Sequence, residues 1–262
     1  GTTLSAGFFL LPGIAFNEAG PAVVLSYMIA AIPLIPAMFS MVELSTAMPK
    51  AGGAYYFLER ALGPSIGTIA GIGTWLSLVL KDAFALVGMS AYLVLILDVN
   101  GKTVALVLIA FFTFVNVVGS KVSGSIQLFL VVFVLAVMAW FLTEGLFETQ
   151  KQGIDKSNLD PFFTEGFSGL ISVIGLVFVS YGGLTKVASA AEEVDDPSLK
   201  IPLGMSLSLL VGTILYTLGA LVAVALLPSV VLHEDLAPIH SAAETILPSA
   251  GVALVVLAAL AA

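Results

Sequence analysis

The 262 residues are 59% hydrophobic and 10% charged, with a mean hydropathy of +1.12, whereas a soluble domain carries roughly a quarter charged residues. An ordinary soluble domain is therefore excluded, and an all-α integral membrane protein is expected, with room for about seven spans at about 20 apolar residues each. The formal charge of −8 argues against nucleic acid as a partner, and the absence of cysteine excludes a disulfide framework and any thiolate metal site.

In chain order, the opening stretch GTTLSAGFFLLPG puts glycine and hydroxylated residues where a plain membrane helix would carry branched apolar side chains. Phe8 to Ala15 is too short to cross alone and turns at Asn17-Glu18-Ala19-Gly20-Pro21. A full span is predicted over Val23 to Ala47, kinked by Pro33 and Pro36, with Glu43 near its end. The glycine-bearing connection Met48 to Ser65 contains a short interfacial helix over Tyr55 to Leu62. Ile66 to Leu97 is long enough to cross at a tilt and holds Lys81 and Asp82 near its middle. Val104 to Val118 and Leu128 to Leu142 follow, joined by Gly119 to Gln127. The polar, acidic stretch Thr143 to Phe167 is expected to be a solvated loop. Leu170 to Ala191 and Leu203 to Leu227 are the sixth and seventh segments; a loop bearing His233 and His240 leads to a last segment from Gly251.

The whole of 1–262 is expected to be a single transmembrane domain, truncated at both ends, because it opens on Gly1 without a basic leader and stops inside an apolar run. Lys50, Arg60, Lys121 and Lys200 fall on one side and Lys102, Lys151 and Lys156 on the other, which assigns the first group to the cytoplasm.

The second stretch that interrupts a span is Phe178 to Gly183, FVSYGG. Irregular backbone survives at membrane depth only where it is buried in protein or lines a cavity, so two such interruptions mark a site. A helix resuming after Gly7 would aim free N–H groups and a positive dipole end at a carboxylate. Carbonyls released around Val179 to Gly182 would suit an ammonium. Together they describe a zwitterion site, such as one for a free amino acid. Close helix contact through small residues explains either stretch alone.

Three stretches in order resemble the amino acid-polyamine-organocation (APC) family of permeases: Gly1 to Gly13; Glu43-Leu44 with Pro49-Lys50-Ala51-Gly52-Gly53-Ala54-Tyr55; and Ala191-Glu192-Glu193-Val194 with Asp196-Pro197 and Ile201-Pro202. The resemblance covers essentially the whole chain. It implies an inverted-repeat transporter bundle, two repeats of five spans with broken first and sixth helices, of which this fragment holds the first half-span to the start of the eighth span. By the same resemblance, Thr3, Leu4, Ser5, Ala6 and Gly7 cradle the substrate's backbone groups, and Phe178, Val179, Ser180, Tyr181 and Gly182 close over it. The chain departs from the pattern in carrying Ala6 for a hydroxylated residue, Leu184, Thr185 and Lys186 after Gly183, and Val134 where some proton-coupled relatives have a lysine.

A mid-bilayer lysine costs about 2.5 to 3.5 kcal/mol on insertion scales, so Lys81 either faces a cavity as a coupling or fixed charge or forms an ion pair. Lys186 either snorkels to the cytoplasmic edge or takes part in coupling. Glu43, Glu192 and Glu193 are expected to hold loop against helix, and Tyr181 to line the cavity or pack in the core. His233 and His240 match no zinc spacing, so no metal and no cofactor are expected. The expected function is secondary transport of amino acids across the cell (cytoplasmic) membrane by alternating access, coupled to protons or to exchange, without enzymatic chemistry. A channel or non-transporting sensor on the same bundle is the alternative, and a membrane enzyme acting on lipid-linked substrate a more distant one.

Overall fold

The computed structural model describes all residues except 1–5, 51, 98, 119–123, 154–155 and 234. The described residues form helices without strands: α1 (Ala6–Phe9), α2 (Leu11–Ala19), α3 (Val23–Ala31), α4 (Leu34–Ala47), α5 (Ala54–Leu62), α6 (Pro64–Leu97), α7 (Gly101–Val118), α8 (Gly124–Gln152), α9 (Gly166–Phe178), α10 (Pro197–Leu226), α11 (Ser229–Leu232), α12 (Pro238–Ile246) and α13 (Ser249–Ala261). After α9 the chain continues without a gap as a 15-residue 3-10 helix, Val179–Glu193. Five helical runs among the described residues are long and apolar enough to cross a membrane, with shorter apolar helices at Gly101–Phe114 and Ser249–Ala261. This is a multi-pass membrane protein.

The second span divides as the prolines predict, but only Pro33 divides it. Ile32 and Ile35 form tight bonds to the carbonyls of Ile29 and Ile32, at 3.0 and 3.1 Å, across the junction of α3 and α4. Pro36 lies in the first turn of α4, where its missing N–H would have had no helical partner. Two expected loops are helical. α8 runs on to Gln152, through the first part of the stretch expected to be solvated, because Thr143 to Gln152 keeps a helical surface pattern; Trp140 donates to Glu144 at 3.3 Å and Lys151 pairs with Glu148 at 3.7 Å. Part of the histidine-bearing connection is α12, opened by Pro238 in its first turn.

α3 packs on α9 and α10, α2 packs on α9, and α10 crosses α4, α8 and the 3-10 segment. Gly219 of α10 lets the Phe8 ring lie directly on the helix backbone, bringing the first segment into the centre. α6 forms an outer wall that meets α1, α5 and α13, and α7 packs on α6. α7 turns Leu106, Phe114 and Val117 outward, each at least 67% exposed, as a lipid-facing surface requires. At one end of the bundle Ala22 donates to the Phe162 carbonyl at 3.1 Å and Ser172 to Glu18 at 2.6 Å. At the other, Lys50 pairs with Glu192 at 3.2 Å. That pair joins the loop after the second span to the end of the sixth, the role expected of Glu192.

Candidate functional site

The change from α to 3-10 winding falls at Val179, inside the FVSYGG stretch. A 3-10 run longer than three or four residues is uncommon, and within a helix it often marks a hinge. Opposite it, α1 is one turn long and breaks at Leu10. The short α1 touches the second interruption: a Cβ on Gly7, inside α1, would collide with the Ser180 side chain and approach its Cα to 3.1 Å.

Four tyrosines hold this junction, each fully buried. Tyr27 of α3 donates to the Gly7 carbonyl at 3.2 Å, and Tyr92 of α6 donates to the Phe9 carbonyl at 3.0 Å. Tyr216 of α10 donates to the Ser180 carbonyl at 3.3 Å, and Tyr181 donates to the Tyr27 carbonyl at 3.0 Å. The Tyr181 and Tyr216 rings meet edge to face at 5.0 Å, and Phe8 stacks on Tyr216 at 5.6 Å. A helix that breaks in a bilayer leaves carbonyls without helical partners; here phenol hydroxyls from neighbouring helices supply donors at three of the four bonds, directly at the breaks. Each carbonyl retains a second lone pair.

Beside the junction lies a cavity of about 400 Å³ bounded by Gly7, Leu11, Lys81, Phe84, Val179 and Ser180, among others. Its wall is mostly apolar. The Ser180 hydroxyl is buried without a hydrogen-bond partner among the described residues, a state that costs roughly 1 to 3 kcal/mol unless a ligand answers it. A second cavity of about 510 Å³ carries Gly182 and Lys186, and Ser77 of α6 borders both.

The predicted site residues thus separate. Gly7, Val179, Ser180 and Lys81 share the first cavity, while Gly182 and Lys186 line the second. Tyr181 faces inward as a packed, hydrogen-bonded pin. Phe178 is 40% exposed and does not border the first cavity. Thr3, Leu4 and Ser5 lie outside the described residues; Ala6 opens α1. His233 bonds Asn17 and packs its ring on Phe16, whereas His240 stands 3.9 Å from Glu244, so the two histidines serve different contacts. No cluster suited to a metal occurs among the described residues.

The model of the amino acid permease family matches residues 1–262. The chain belongs to that family. Among its relatives, the permease chain is 30% identical over 262 residues to cationic amino acid transporter 3, mitochondrial, of Arabidopsis thaliana, covering 92% of this chain and 43% of the relative. It is 27% identical over 249 residues to the branched-chain amino acid permease BcaP of Bacillus subtilis (strain 168), covering 87% and 52%. With BcaP of Lactococcus lactis subsp. cremoris (strain MG1363) it shares 29% over 266 residues, covering 91% and 56%. The chain spans about half the length of the curated relatives it matches.

Sequence reasoning found the change of winding in FVSYGG, but it expected the first helix to resume after Gly7, which lies inside α1 with the turn at Leu10, and it missed Tyr27, Tyr92 and Tyr216. The usable signal was a phenol hydroxyl inside an apolar span, which needs an acceptor, combined with glycine-rich breaks that liberate acceptors elsewhere.

Proposed function

We propose that the protein containing this chain is a secondary transporter that moves amino acids across the cell membrane by alternating access. The observation that carries the reading is the direct apposition of Gly7, on the one-turn helix α1, and Ser180, at the change of winding, beside a cavity of about 400 Å³. The substrate's carboxylate would sit at the N-terminal turn of the first segment and accept from Ser180. Its ammonium would use the remaining carbonyl lone pairs of the junction. The winding change at Val179 is the hinge about which the lower part of the sixth segment moves relative to α9. The names of the relatives leave two substrate classes, branched-chain and cationic. Coupling is assigned to protons or to exchange of a second amino acid. Lys81 is the titratable group placed at the cavity, and Lys186 the one placed at the next.

The test is uptake of labelled amino acids into proteoliposomes holding the full-length protein. Saturable uptake, competed by unlabelled amino acid, is expected. Unsaturable current, or no solute flux with any amino acid, would overturn the proposal. Imposed proton gradients and preloaded amino acids distinguish the two modes of coupling.

A further inference from the structure

Of the five helical runs long enough to span, α6 is the least enclosed: 17% of its apolar stretch is buried, against 56% in α10. A carboxylate sits in that open surface. Asp82 is exposed, and among the described residues it has no ion-pair or hydrogen-bond partner. Lys81, its neighbour in sequence, lies about 100° round the helix, where it borders the first cavity. On the face of Asp82 itself, helical spacing places Trp75 and Val79, 64% and 44% exposed.

The depth of this carboxylate decides what can cover it. At about 1.5 Å per residue, Asp82 lies about 27 Å from the start of α6 and about 22 Å from its end. A hydrocarbon core of about 30 Å cannot be laid along such a helix, tilted or upright, without including Asp82. A lysine at that depth can run its long stem towards the interface, whereas aspartate has a single methylene and cannot. Against lipid, a carboxylate there is disfavoured roughly 100-fold. Against a protein surface that matches its charge, it is not.

We infer that the face of α6 formed by Trp75, Val79 and Asp82 is an interface, covered in the full-length protein by a membrane-spanning helix from outside residues 1–262 that presents a lysine or arginine to Asp82. The relatives carry about as much polypeptide again outside the matched region, which supplies such a helix. A second copy of the chain offers no match. Within its spans the cations are Lys81 and Lys186, both bordering interior cavities, and the other lysines and the arginine lie at span ends or in connections. The inference does not depend on what the protein transports.

The experiment uses the full-length protein in lipid bilayers, with any cysteine elsewhere replaced. Nitroxide labels are placed on Val79→Cys, which leaves Asp82 intact, on Asp82→Cys, and on Leu106→Cys of the outward surface of α7 as the lipid reference. Labels at 79 and 82 are expected to be shielded both from oxygen, which concentrates in lipid, and from a water-soluble nickel chelate, with oxygen relaxing them severalfold less than the label at 106. Oxygen access at 79 equal to that at 106 would overturn the inference, and so would access of the nickel chelate, which would make the face a water-filled passage. Shielding that disappears when the protein is diluted to monomers would assign the face to a second copy and overturn it as well. Stability supplies an independent sign. Asp82→Leu should lower the folding equilibrium constant at least about tenfold, by leaving the partner's charge buried and unanswered. Equal or higher stability of the leucine variant, the result for a side chain facing lipid, would overturn the inference.

Discussion

The tyrosine-held junction and the α6 wall are neighbours with opposite characters. At the junction, Tyr27, Tyr92, Tyr181 and Tyr216 are fully buried, and each hydroxyl reaches a backbone carbonyl. On the wall, Ser77, Lys81 and Phe84 border open cavity, and Leu76 and Leu80 on the same helix are 49% and 61% exposed. The junction uses polar groups to hold irregular backbone in place, whereas the wall is a regular helix whose Ser77 hydroxyl bonds the Gly73 carbonyl of its own helix at 2.8 Å. On the transporter reading proposed above, the first region would position the substrate's common backbone groups and the second would border the rest of the substrate.

Substitutions that strike the junction should act on every substrate alike. Gly7→Val is expected to have the largest effect, because its added Cβ meets Ser180 where the segments touch. Uptake of all amino acids should fall to background, with a loss of stability of about 1 to 3 kcal/mol in thermal or denaturant unfolding. Ser180→Ala should separate binding from folding. Removing a buried hydroxyl that has no partner among the described residues should leave stability equal or slightly higher, while the KM for uptake rises about tenfold through the lost bond to substrate. Tyr216→Phe keeps the ring stack with Phe8 and deletes the bond to the Ser180 carbonyl. Thermal unfolding should register about 0.6 to 1.7 kcal/mol, the range for hydrogen bonds between membrane helices. The smallest effect is expected for Lys50→Met. Its pair with Glu192 is roughly half exposed on both sides, so stability should change by no more than about 1 kcal/mol. A loss of substrate selectivity in Tyr216→Phe would blur the division between the regions.

Much of this arrangement was legible before any coordinates. Apolar runs located the spans, Pro33 and Pro36 together located the region in which the second divides, and FVSYGG located the change of winding, because backbone chemistry in lipid leaves few options. The tyrosine pins were not legible, since Tyr27 or Tyr216 in an apolar run reads equally as a core aromatic until its acceptor is known. Phe178 and Tyr181 could not be assigned to faces either. They are three residues apart across a junction where 3.6 residues per turn gives way to 3.0, so extrapolating one helical period misplaces one of them. The extension of α8 to Gln152 escaped notice because its last turns are polar and leave the apolar pattern that defines a span.

The most direct measurement uses the absence of cysteine from these 262 residues. In the full-length protein, with any cysteine elsewhere replaced, Val179→Cys at the cavity and Ser40→Cys on the exposed surface of α4 are labelled by a membrane-permeant thiol reagent, with and without saturating transported amino acid. The account predicts that substrate slows labelling at position 179 and leaves position 40 unchanged. Equal labelling at position 179 with and without substrate, in protein that still transports, would contradict it.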